Sequence, residues 1–199
     1  MSSDSTVPLG VPPAAPTPPA APANKTAVTL IVPALVGCAI SAGIGTYASI
    51  HNPTGLAVNI AGFSSPQTVK VWLATVAFTF AVVQLVSALV MYGKLPIKAP
   101  SWIGTLHRWS GRAAFLTAVP VAMHCLYALG FSTYDTRTLI HSALGTFFFG
   151  AFTTKMLVLT KKGTPGWALP LLGGLVFTAL AGLFISSSLW YFTTIGVKI

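Results

Sequence analysis

Five long apolar runs, separated by short joints, limit what this chain can fold into. They cover about 26–49, 68–92, 103–131, 138–159 and 167–192. Each is close to the ~20 residues that carry a helix across a bilayer. They are too long and too evenly apolar for barrel strands, and lipid leaves no other spanning structure. Composition agrees: 54% of the residues are hydrophobic and 7% charged, where ordinary soluble domains carry about 25% charged residues. The expected fold is all-α, a polytopic membrane helix bundle of five transmembrane helices spanning 26–199. The net charge of +9 does not point to nucleic acid, because the basic residues lie between apolar runs and form no cluster with exposed aromatics. Membrane lipid is the expected partner.

The joints carry turn chemistry: HNPTG after the first run, YGKLPIKAPS after the second, STYDT after the third and TKKGTPG after the fourth. Pro, Gly and Asx signals of this kind stop helices. The 51–66 joint is longer and fairly apolar, so it is expected to lie on the membrane surface or to cap something beneath it. Lys25, Lys94, Lys98, Arg108, Arg112, Lys155, Lys161 and Lys162 fall toward one side, and Lys70, Arg137 and Lys198 toward the other. That asymmetry predicts N-in/C-out topology. Residues 1–25 hold seven prolines between Pro8 and Pro22. Such a segment has too little to bury, and it is expected to be a disordered Pro/Ala-rich cytoplasmic tail acting as a tether, or a docking site for a proline-recognising partner, rather than a secretory signal. Cys38 and Cys125 lie inside apolar runs and are expected as buried free thiols.

Four histidines remain: His51, His107, His124 and His141. An ionisable side chain inside a span is costly and needs a partner. His124 lies near the end of the third run and His141 near the start of the fourth, so both sit within roughly 10 Å of the same end of their helices. Antiparallel helices joined by a short turn are expected to pack side by side. Facing imidazoles at one depth would suit the iron of a b-type haem. Gly145, one turn after His141, leaves room for a porphyrin, and Arg137, one turn before it, suits a propionate. Lys70 is a second carboxylate partner. The plain alternative is a pair of satisfied polar residues bonded to neighbouring carbonyls or hydroxyls. His107 is about 25 Å from His124 along the axis, a distance that fits a second haem, with Met156 as its only candidate partner; otherwise it is an interfacial residue beside Arg108 and Arg112. His51 is expected as a solvated loop residue, or at the edge of such a site.

The stretches LHRWSGR, AMHCLYALG and LIHSALG resemble the transmembrane cytochrome b superfamily, which includes ferric-reductase-like haem-binding membrane domains. The similarity covers mainly residues 103–160. The whole chain also resembles small five-span actinobacterial membrane proteins of unassigned function, some associated with Rieske-type electron-transfer genes. The resemblance implies haem b held by His124 and His141, an "HR" match at His107, and electron transport across a bacterial plasma membrane with an outer-face Rieske-type protein or a quinone as partner. Two-haem members supply four histidines in matched pairs, whereas three lie in the spans here. One haem near the outer face is therefore expected, and two if His107 takes part. The rival expectations are a haem-free structural or assembly subunit, packed through Gly37, Gly43, Gly45, Gly173, Gly174 and Gly182, and a small transporter. No nucleophile or phosphate-cradling loop is visible, so any enzymatic role would be as an oxidoreductase component.

Overall fold

The computed structural model describes residues 23–60 and 62–199, with α1 side chains described from residue 28 onward. The Pro/Ala-rich segment 1–22 lies outside the described residues. The described chain is helical, with no strand among those residues: α1 (Ala23–Ile50), α2 (Pro66–Met91), α3 (Ile103–Met123), α4 (Thr136–Leu159) and α5 (Ala168–Phe184), with a short α6 (Trp190–Thr194). α3 runs on into a π-helical turn, His124–Leu129, and α5 reaches α6 through a second one, Ile185–Leu189. Five spans long and apolar enough to cross a membrane result, Val28–Ile50, Pro66–Met91, Ile103–Leu129, Thr136–Leu159 and Ala168–Thr194. Their ends lie within a few residues of the sequence boundaries.

The helix starts follow from local chemistry. Ser65 caps α2: its Oγ accepts from the Thr68 amide at 3.2 Å, while Thr68 Oγ1 accepts from the Ser65 amide at 3.1 Å. This reciprocal pair satisfies two backbone donors that a helix start leaves free. Asp135 caps α4 through its Oδ1, which accepts from the Thr138 amide at 2.7 Å. The 51–66 joint caps the end of α3: Tyr127 O accepts from Thr54 N at 2.9 Å and Ala128 O from Gly55 N at 3.3 Å. Gly130, at φ 69°, ends the π turn in a conformation that favours glycine.

Packing is uneven. α1 lies closely on α4, α2 on α3, and α4 and α2 both touch α5. α1 and α4 meet backbone to backbone, since a Cβ at Gly37 would stand 2.5 Å from Gly150 O and one at Gly150 would stand 2.5 Å from Gly37 O. Ser41 Oγ donates to Thr146 O at 2.8 Å across the same seam. Small residues let helices approach this closely where lipid supplies no hydrophobic force between them. Gly182 abuts Leu144, but Gly43, Gly173 and Gly174 have nothing within 4 Å of a built Cβ and are not packing glycines within this chain. α2 is tied to α3 by Gln84, whose Nε2 donates to His107 O and, at 2.8 Å, to Ser110 Oγ.

The expectation for α3 and α4 is not met. Although joined by a short turn, they are not among the closely packed pairs. They touch through Phe115, stacked 4.3 Å from Phe152 and edge-on to Phe149. Nearer the turn, the space between them is open. The expectation of two buried thiols also needs correction. Cys125 is half-buried, but Cys38 is exposed on α1 and both are free.

Candidate functional site

The open space between α3 and α4 is a cavity of about 380 Å³, within the ~300–1,000 Å³ range of small-molecule pockets. Its apolar floor includes Ala77, Ala118, Phe148 and Leu180, and its mouth carries Lys70, Arg137, His141 and Tyr134. Gly145 borders it, and a Cβ there would meet nothing nearer than Leu183 Cδ2 at 3.9 Å. This glycine is not demanded by packing. Its missing side chain enlarges the cavity.

His141 is held by the second π turn. Its Nδ1 lies 2.9 Å from Ser186 Oγ, and that hydroxyl donates to Gly182 O at 2.7 Å. With the hydroxyl proton so placed, Ser186 Oγ accepts and His141 Nδ1 carries the hydrogen. Nε2 then presents a bare lone pair, with no hydrogen bond to it among the described residues. A histidine fixed through Nδ1–H with Nε2 free has the form of a metal ligand oriented by its outer partner. Arg137 is anchored at the same place. Its Nη1 donates to Ser186 O at 2.8 Å, its guanidinium lies 3.9 Å over the Trp190 ring, and Nη2 is 3.9 Å from Asp135 Oδ2. The Thr138 amide bond, with Arg137 beside it, holds the Asp135 carboxyl below its usual range. π turns recur at functional sites because the extra residue per turn re-aims side chains and backbone groups.

His141, Arg137 and Gly145 therefore share one cavity. His124 does not join them. It opens the first π turn and lines a second cavity of about 530 Å³, bounded by Val69 and Leu73 of α2, Val119 and Met123 of α3, and Leu56 and Val58 of the first joint. Its neighbour Cys125 faces the first cavity instead. Lys70 borders both cavities, so it stands at the seam between the two histidines.

His107 repeats the His141 pattern at the other end of the bundle. Its Nδ1 is 2.8 Å from Ser87 Oγ, which donates to Gln84 O at 3.1 Å. Met156 is 45% exposed, and neither residue lines either cavity. His51 is not a solvated loop residue. Its ring stacks 5.0 Å from Tyr47 and meets Tyr127 edge-on at 5.6 Å, with Nε2 buried and unbonded. Among the described residues no group of three or more His, Cys, Asp or Glu side chains gathers as a metal site.

Sequence reasoning missed Ser186 and Trp190. The signal was present: Ser186, Ser187 and Ser188 interrupt an otherwise apolar run. A polar triplet in a span needs partners. Ser186 binds His141 and Ser188 Oγ donates to Val71 O at 3.0 Å, tying the second π turn to α2.

Residues 30–199 match a family of unknown function, DUF6529, and the chain belongs to it. No curated protein and no solved structure matches the chain.

Proposed function

We propose that this DUF6529 member is a membrane b-type cytochrome, or the membrane anchor of an electron-transfer complex, with haem b in the cavity between α3 and α4. The observation that carries the reading is His141: Ser186 fixes its ring through Nδ1, which leaves Nε2 without a hydrogen bond among the described residues, and the residue lines a cavity that Arg137 and Lys70 also line. His141 would ligate the iron, Arg137 and Lys70 would receive propionates, and Gly145 would leave room for the macrocycle. A bound haem would supply one-electron transfer, its potential set by ligand, burial and neighbouring charge. Ser186 holds the ring orientation, Trp190 holds the Arg137 guanidinium, and the Phe148 side excludes water. Of the histidines, His141 alone lines this cavity and would hold the group there. A second ligand from His124 requires the His124–Leu129 turn to rotate toward α4, because that ring faces the other cavity. Lys94, Lys98, Lys161 and Lys162 at the opposite end support a cytoplasmic assignment for that end, hence N-in/C-out in a bacterial plasma membrane. Electron partners would be a quinone or a Rieske-type protein at the cavity end.

The test is haem content of the purified full-length chain. His141→Ala should lose haem. His124→Ala should keep it if His141 is the sole protein ligand, and lose it if the turn rotates. Full haem in both variants contradicts the reading.

A second reading, a haem-free structural or assembly subunit, draws support from α1. Only one of its faces, along Pro33, Gly37 and Ser41, meets α4, and Ile31, Leu35 and Ile40 are exposed. Colourless protein that co-purifies with larger subunits would favour it.

A further inference from the structure

We infer that the second cavity is a lipid site, in which Lys70 is the counter-charge for an acidic headgroup. Lys70 is 7% exposed. Among the described residues it makes no hydrogen bond and no ion pair; the ion pair they contain joins Arg137 to Asp135. It sits in the first turns of α2, where aligned peptide dipoles already place partial positive charge. The Lys70 side chain is largely buried and its ammonium has no protein partner among the described residues, so an anion that reaches it gains a charge-assisted contact with no competitor. The chain has few anions of its own to offer. Its only carboxylate side chains are Asp4 and Asp135, and Asp135 is engaged by the Thr138 amide and Arg137. Asp4 lies outside the described residues; among those described no carboxylate side chain is free for Lys70, and a bound ligand is the source of its counter-charge.

The walls indicate what carries that anion. Apart from Lys70, His124 and the Tyr127 ring, the cavity is lined by aliphatic side chains and Pro66 and Pro120. Its cover, Leu56 and Val58, is apolar on the outer side as well, at 81% and 80% exposed. A cover that is apolar on its outer side sits in lipid rather than water, so the cavity opens to the bilayer. The ligand is then an amphiphile: an acyl chain along Val69, Leu73, Val119 and Met123, and an acidic group at Lys70 with His124 beside it. An acidic group on an apolar body also describes haem propionates, and Lys70 borders the first cavity too. The lipid assignment does not depend on haem being bound.

The experiment uses the delipidated full-length chain in detergent, with phosphatidylglycerol and phosphatidylcholine of identical acyl chains as probes. Binding is read by native mass spectrometry and by the shift in thermal unfolding. Loss of a charge-assisted contact predicts roughly a tenfold or larger preference for phosphatidylglycerol, abolished in Lys70→Met and kept within about threefold in Lys70→Arg. Without lipid, Lys70→Met should unfold at the same or a higher temperature than the parent, which separates lost binding from lost folding. Equal binding of the two lipids, or a preference that survives Lys70→Met, overturns the inference. Haem content is measured on the same preparations. A chain that holds haem but shows no Lys70-dependent lipid preference assigns Lys70 to the propionates and removes the lipid site. A chain without haem that shows the preference sustains the lipid site and removes the haem.

Discussion

α4 has two kinds of neighbour, and the contrast between them organises the molecule. Against α1 it presents Gly150 and Thr154, and the two backbones touch at Gly37. Thr154 Oγ1 reaches Pro33 O at 3.3 Å there. Toward α3 it presents His141, Gly145, Phe148 and Phe149, and a cavity stands between the helices. Both faces use glycine, but for opposite ends. Gly150 closes a gap that any side chain would hold open. Gly145 keeps open a gap that a side chain would fill. Small residues in a span therefore have no single meaning; the atoms around each decide.

Three substitutions would break or sharpen that contrast. Gly150→Leu places a side chain against the α1 backbone, and overpacking there should cost about 3 kcal/mol or more, read as loss of monodisperse folded protein or a large drop in unfolding temperature. Gly145→Leu should leave stability within about 1 kcal/mol of the parent yet abolish occupancy of the first cavity, measured as haem per chain. If Gly145→Leu destabilises as Gly150→Leu does, the two faces are not different in kind. The smallest effect belongs to Asp135. Its carboxyl is depressed in the folded state by the Thr138 amide and Arg137, so its contribution is full above the ordinary carboxylate pKa. That contribution is lost as pH falls through the lowered folded value. Asp135→Asn retains the capping oxygen but removes the titration. The parent should show a slightly steeper loss of thermal stability below pH 4 than the variant; parallel curves would contradict a role for this carboxylate.

The spans were legible because bilayer thickness fixes their length and apolarity marks them. The second span, for instance, is Pro66–Met91 against a sequence reading of about 68–92, two residues longer at its capped start and one shorter at its end. Helix adjacency was not legible. In water a short turn between antiparallel helices predicts contact, but in lipid association depends on local shape. Gly37 against Gly150 draws α1 to α4, while Phe115 against Phe149 and Phe152 props α3 away from it. The site was half legible. His141, Arg137 and Gly145 follow from spacing on one regular helix, and they do share a cavity. His124 follows Pro120 and opens a π turn, where regular helical phase fails, so its direction could not be read from spacing. The partner that matters most to His141, Ser186, lies 45 residues away on another span.

The central claim is that His141 holds haem b in the α3–α4 cavity. The most direct measurement is a dithionite-reduced minus oxidised spectrum of the purified full-length chain, with a pyridine haemochrome assay for haem per chain, repeated on His141→Ala. The account predicts one haem b per chain in the parent and none in the variant. Colourless parent protein from haem-sufficient cells, or a variant with its haem intact, would contradict it.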